Sequence, residues 1–228
     1  MQRHFATLHA HMSKLISVDV WFDFACPWCY IGKRKFEQGV VQSGLGDQLA
    51  VTYHSYEVAP DTPADFDGSE ADFLAGHKGI GPAQVAQMFT QVTAIAAGVG
   101  LDYDFDILRH ANTRKAHELL HFAKQDGKQQ ELAERLFAAY FTQGRYLGSV
   151  DELTSLAAEV GLDADAARQA LESGEFSEAV SADLAEAQAY GVNGVPFYVF
   201  DGRYGVSGAQ PAEVFAEALT KVAHGHQG

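Results

Sequence analysis

Apolar residues alternate along residues 18–25. Val18, Val20, Phe22 and Phe24 share one side, and Trp21 and Ala25 make the other side partly apolar too. That two-sided pattern predicts a buried central strand. Residues 27–41 are helix-compatible and run into a glycine-rich exit between Gly39 and Gly46. A second strand is expected over residues 50–58. Strand, helix, strand is a βαβ unit, so the two strands should be parallel with a right-handed crossover.

The period changes after Pro60. Residues 61–68 read as loop, and nearly everything from there to Tyr190 reads as helix. Pro82 occupies a first-turn position, followed by Val85, Met88, Val92, Ile95 and Val99 at helical spacing. Further helices are expected over residues 108–124, 129–142 and 151–160, the last opened by a capping box of Ser149 and Glu152. Asp163 should cap the next helix, and residues 176–189 form another. Strand character returns at residues 196–200. Asp201-Gly202 then makes a two-residue turn into residues 203–207. Pro211 starts a final helix to about Val222. The closing hairpin is thus placed to complete the sheet opened by the first two strands, with the helical block inserted between them.

Composition narrows the function classes. The 228 residues are 47% apolar and 20% charged, as in a soluble globular protein. No apolar stretch approaches the ~20 residues needed to span a bilayer. A net charge of −14 argues against a nucleic-acid or anionic-membrane surface. Residues 1–13 carry His4, His9 and His11 but no apolar core of a secretory signal, so they read as a disordered leader, with Met12 an alternative start. A cytoplasmic location is therefore expected, where a Cys-x-x-Cys pair is more often redox-active or metal-binding than structural.

Cys26 and Cys29 are the only cysteines, in the motif Cys26-Pro27-Trp28-Cys29. Two randomly placed cysteines would fall three apart about one time in a hundred, so the spacing carries information. Strand before and helix after put Cys26 at a helix N-terminus, which favours a thiolate. Cys26 is then the nucleophile that forms a mixed disulfide, and Cys29, one turn further in, is the resolving thiol. Pro27 costs no hydrogen bond in the first turn. Trp28 either shields the pair and meets substrate or simply packs. Lys33-Arg34-Lys35 reads first as a solvated helix face and second as cations that hold Cys26 as a thiolate.

Four segments resemble the thioredoxin superfamily, and within it the DsbA-like family that includes FrnE-type proteins. They are Phe22-Asp23-Phe24-Ala25-Cys26-Pro27-Trp28-Cys29-Tyr30-Ile31-Gly32; Ala111-Asn112-Thr113 with Ala116-His117; Gly191-Val192-Asn193-Gly194-Val195-Pro196; and Val206-Ser207-Gly208-Ala209-Gln210. The resemblance implies an α/β protein with a thioredoxin-like fold carrying a large all-helical insertion. Residues 14–60 and 191–224 would form a discontinuous thioredoxin-like domain and residues 61–190 a helical insertion domain. It also implies that Pro196 is cis and that Val195 offers backbone groups to an extended substrate. Pro27, Trp28, Val195 and Pro196 are the expected substrate-binding residues, and Cys26 and Cys29 the catalytic ones. Many thioredoxin-like proteins carry a buried acid six residues before the first cysteine. Val20 stands there instead, and Asp23 is the nearest carboxylate, read either as tuning the pair or as holding the turn.

The expected activity is oxidation, reduction or isomerisation of protein disulfides. No cofactor is expected beyond the redox-active disulfide. The expected partners are protein or peptide thiols and disulfides, with glutathione a candidate co-substrate. A glutathione-dependent isomerase or transferase is the alternative enzyme class. Such relatives have serine where Cys26 stands, and Asn112 and Lys33 would then belong to the substrate site. A redox-independent chaperone is the third class. No metal is expected: a structural zinc site wants four ligands, and His117 and His121, four apart in a stretch shared with His110, make only a pair. His224 and His226 fall in the tail.

Overall fold

The computed structural model describes residues 14–226, so the segment read as a leader, and Met12 within it, lie outside the described residues. Strand β1 (Ile16–Phe22), helix α1 (Pro27–Ser43) and strand β2 (Leu49–Ser55) open the chain. Seven helices follow: α2 (Glu70–Lys78), α3 (Pro82–Ala97), α4 (Arg114–Gln125), α5 (Gln129–Gln143), α6 (Val150–Glu159), α7 (Ala164–Ser173) and α8 (Ser177–Ala189). Strands β3 (Phe197–Phe200) and β4 (Tyr204–Ser207) and helix α9 (Ala212–Gly225) close it.

The sheet order is β2-β1-β3-β4, with β1 parallel to β2 and antiparallel to β3, and β3 antiparallel to β4. The hairpin does complete the sheet. The fold is the expected α/β, thioredoxin-like one with a helical insertion. As its two-sided pattern required, β1 is central. Val18, Val20 and Phe22 face the main core, whereas Trp21 packs with Ala187, Val192 and Val199 on the other face. Helices α1 and α9 pack together. Gly39 makes that possible: a Cβ there would lie 2.6 Å from the Ala212 carbonyl oxygen. The inserted helices join the same core, and Phe137 of α5 stacks on Tyr30 of α1 at 4.9 Å.

Several boundaries differ from the sequence reading. Strand β1 stops at Phe22, not Ala25, because Asp23 turns the chain, its carboxylate accepting from the Val58 and Ala25 amides. Strand β2 likewise ends at Ser55. Helix α4 starts at Arg114, six residues after the expected Leu108. Asn112 Oδ1 accepts from the Arg114 amide at 2.9 Å, and its Nδ2 donates to the Thr62 carbonyl, so residues 108–113 are held in a non-helical approach. Ser149 accepts from the Glu152 amide, but the Glu152 side chain turns to Arg145 rather than closing the box. A reciprocal box instead opens α2, between Ser69 and Asp72. Asp163 caps α7 as expected. Helix α9 reaches Gly225, so His224 is helical and His226 meets Asp201.

Candidate functional site

Cys26 is the N-cap of α1, with extended backbone (φ −87°, ψ 114°), and Pro27 takes the first helical position. There a proline has no hydrogen bond to lose and its fixed φ suits the helix. The Cys29 amide donates to the Cys26 carbonyl at 3.1 Å, closing the first turn. Both thiols are free; Cys26 is 8% exposed and Cys29 3%. Cys26 Sγ donates to the Val195 carbonyl at 3.6 Å. Burial pushes the Cys29 thiol up, and the hydrogen bond and charge of Cys26 add to the shift, as does the Asp23 carboxylate.

The Val195–Pro196 peptide bond is cis. Pro196 is buried and its carbonyl accepts from the Gly208 amide at 2.8 Å, which ties it to the end of β4. A Cβ on Gly32 would lie 2.8 Å from Pro196 Cγ and 3.1 Å from the Tyr198 hydroxyl. A glycine at this point of α1 therefore lets the helix and the proline meet. Trp28 is 41% exposed. Tyr103, from the segment before α4, donates its hydroxyl to the Pro27 carbonyl at 2.6 Å and so pins the motif to the inserted helices.

Asp23 is buried beside the pair, 1% exposed. Its Oδ1 accepts from Thr113 Oγ1 at 2.7 Å and from His117 Nε2 at 3.1 Å, and its Oδ2 from the Val58 amide at 2.8 Å. His117 is 0% exposed, and its Nδ1 is buried without a partner among the described residues. The Nε2–H tautomer follows from the carboxylate it faces. Because β1 ends at Phe22, Asp23 lies just beyond the strand rather than on one of its faces.

The basic triplet is engaged elsewhere. Lys33 and Arg34 pair with Glu37 and Glu134, and Lys35 donates to the Ala209 carbonyl. Burial opposes ionisation of Glu134, yet bonds from Arg34 and Lys33 hold its carboxyl down to about 2. Lys33 does not sit on a solvated face: it is buried in a network that joins α1 to α5.

The three histidines expected on one helix separate. His110 precedes α4 and contacts Glu70 and Thr62; His117 faces Asp23; His121 faces Asp183. Asn112 serves the backbone of Thr62 and Arg114. His54, Asp183 and Glu186 bring ligand-type atoms within 4.8 Å of one another. Both His54 nitrogens there face carboxylates, of Asp183 and Asp19, and both Asp183 oxygens are occupied. Thr113, His117 and Tyr103 were not legible as neighbours of the pair. Only the motif Ala111-Asn112-Thr113 with Ala116-His117 pointed to the segment of the first two.

Among the described residues, no helix is long and apolar enough to cross a membrane. A family model described as the DSBA-like thioredoxin domain matches residues 17–220. The uncharacterized protein YwbO of Bacillus subtilis (strain 168) is 28% identical over 207 residues, covering 90% of this chain and 96% of that protein. The crystal structure of probable DsbA oxidoreductase SCO1869 from Streptomyces coelicolor superposes with a TM-score of 0.85 at 37% identity, covering 92% of this chain and 90% of that one. The cytosolic disulfide reductase DsbM from Pseudomonas aeruginosa, solved with GSH, shares the fold. Its TM-score is 0.63 at 17% identity, covering 90% of this chain and 98% of that one.

Proposed function

This chain belongs to the DSBA-like thioredoxin domain family, and from that premise we propose that it exchanges disulfides with protein or peptide substrates through Cys26 and Cys29. The observation that carries the reading is the placement of Cys26: it caps α1, and its Sγ lies 3.6 Å from the Val195 carbonyl. A helix N-terminus is where backbone amides and the helix dipole receive an anion, and Cys26 stands at one. The Val195 backbone would hold an extended substrate by strand addition, with Pro196 shaping the approach. Pro27 and Trp28 would form the other side of the contact.

The reaction balances as follows. The Cys26 thiolate attacks a substrate disulfide, forming one S–S bond and releasing one substrate thiolate. Cys29, once deprotonated, attacks Cys26 Sγ, releases the second substrate thiolate and leaves the Cys26–Cys29 disulfide. The substrate gains two electrons and the enzyme loses two. Run backwards, the same steps oxidise a substrate dithiol. Burial, with the hydrogen bond and charge of Cys26, holds the proton on Cys29 in the free pair, which suits a resolving thiol. Glutathione fits the same scheme as the thiol that resets the pair. The motif from Phe22 to Gly32 supports a FrnE-type assignment within the family.

Reduction of insulin and refolding of a scrambled disulfide substrate test the reading. Cys26→Ser should lose both activities. Unchanged activity in that variant would sink the mechanism.

A further inference from the structure

Beside the cysteine pair lies a cavity of about 280 Å³, almost wholly apolar in lining. Pro27 and Trp28 of the motif line it, with Met88, Phe89 and Val92 of α3, and Glu70 is its one acidic group. Glu70 is the first residue of α2, where the helix N-terminus favours a carboxylate. Its Oε2 is held by His110 Nδ1 at 2.8 Å and by the Tyr140 hydroxyl at 3.2 Å. Thr62 Oγ1 lies 3.0 Å from His110 Nε2, so a neutral ring can donate to Glu70 and accept from Thr62. Burial and the Glu70 charge together push the Tyr140 phenol up. Oε1 has no hydrogen bond among the described residues. A carboxylate is thus fixed through one oxygen, on a residue that lines an otherwise oily pocket.

Such a pocket suits a side chain with a long apolar stem and a cationic tip. An apolar stem alone would leave the carboxylate desolvated, and an acidic tip would be repelled. We propose that this pocket, resting on the disulfide-exchange reading above, is a specificity subsite for a lysine or arginine beside the substrate's reacting cysteine. Glu70 Oε1 takes the cation, Trp28 and the α3 side chains cover the stem, and the net charge of −14 draws basic segments toward the protein. The adjacency of Pro27 and Trp28 to Cys26 places the pocket within a residue or two of a bound substrate cysteine.

The test uses the full chain and short peptide disulfides that carry lysine, norleucine or glutamate on either side of the cysteine. At one flanking position kcat/KM for lysine should exceed that for norleucine about tenfold, as a desolvated charged hydrogen bond implies, with glutamate slowest. Glu70→Gln should bring lysine down to the norleucine rate and leave norleucine unchanged. Gln91→Lys, on the exposed side of the same pocket, supplies a competing cation and should do the same without altering Glu70. Equal rates for lysine and norleucine at both positions overturn the subsite. So does a lysine preference that survives both variants, which would reflect net charge alone. If no peptide exchanges at all, the oxidoreductase reading fails separately. Binding of serine-for-cysteine peptides, followed by tryptophan fluorescence, then decides the subsite by the same tenfold lysine preference and its loss in Glu70→Gln.

Discussion

A carboxylate as buried as Asp23 is costly unless several donors meet it. Thr113, His117 and the Val58 amide do so. The residue therefore has two consequences. It fixes the turn that ends β1 just before the motif, and its charge adds to the burial that holds the Cys29 proton. Removing the charge while keeping the shape should ease ionisation of Cys29. In a Cys26→Ser background, Asp23→Asn is expected to lower the pH midpoint of Cys29 alkylation. An unmoved midpoint would leave Asp23 with the turn alone. The sequence showed Asp23 as the nearest acid but not its donors. Thr113 and His117 are ninety or more positions away, and no periodicity in one chain links them to residue 23.

At the scale of elements, strand and helix identity was legible and their ends were not, for specific reasons. Phe24 and Ala25 continue the apolar alternation of β1, so pattern alone extends the strand, whereas the backbone there bends around Asp23. Leu108 and Ala111 fit a helical stripe, yet Asn112 and Thr113 spend their side chains on the Thr62 carbonyl, the Arg114 amide and Asp23. The glycines at the α1 contacts were equally silent, since their purpose lies in what approaches them. Gly32→Ala pushes a methyl group to 2.8 Å from Pro196 Cγ. We expect a loss of about 1–3 kcal/mol in urea denaturation, with slower exchange. Gly76→Ala in α2, where an added Cβ meets nothing within 4 Å, should instead gain about 0.5–1 kcal/mol. Equal effects at the two positions would contradict the packing account of α1.

Across the whole molecule, one polar cluster ties the sheet to the inserted helices. His54 of β2 sits between Asp19 of β1 and Asp183 of α8, and Asp183 also takes His121 of α4 and the Ser55 amide. Burial opposes the His54 cation, but the two carboxylates outweigh it and raise its pKa to about 9. Since the folded value lies above the unfolded one of about 6.5, the stabilisation is complete below pH 6.5 and is lost as pH rises to 9. It amounts to at most about 3 kcal/mol. Urea unfolding at pH 6.5 and pH 9 should show that decline in the parent chain and a smaller one in His54→Gln. Identical slopes would remove the cluster from the stability balance.

The same architecture brings strand β3, helix α1 and the inserted helices together at a single thiol pair, and the division of labour between Cys26 and Cys29 is the centre of the account. Mixed-disulfide trapping tests it most directly. Cys29→Ser, incubated with an activated peptide disulfide and read by intact mass, is expected to hold one peptide on Cys26. Cys26→Ser is expected to hold essentially none over the same time. A stable adduct on Cys29 in the second variant, or none on Cys26 in the first, would contradict the assignment.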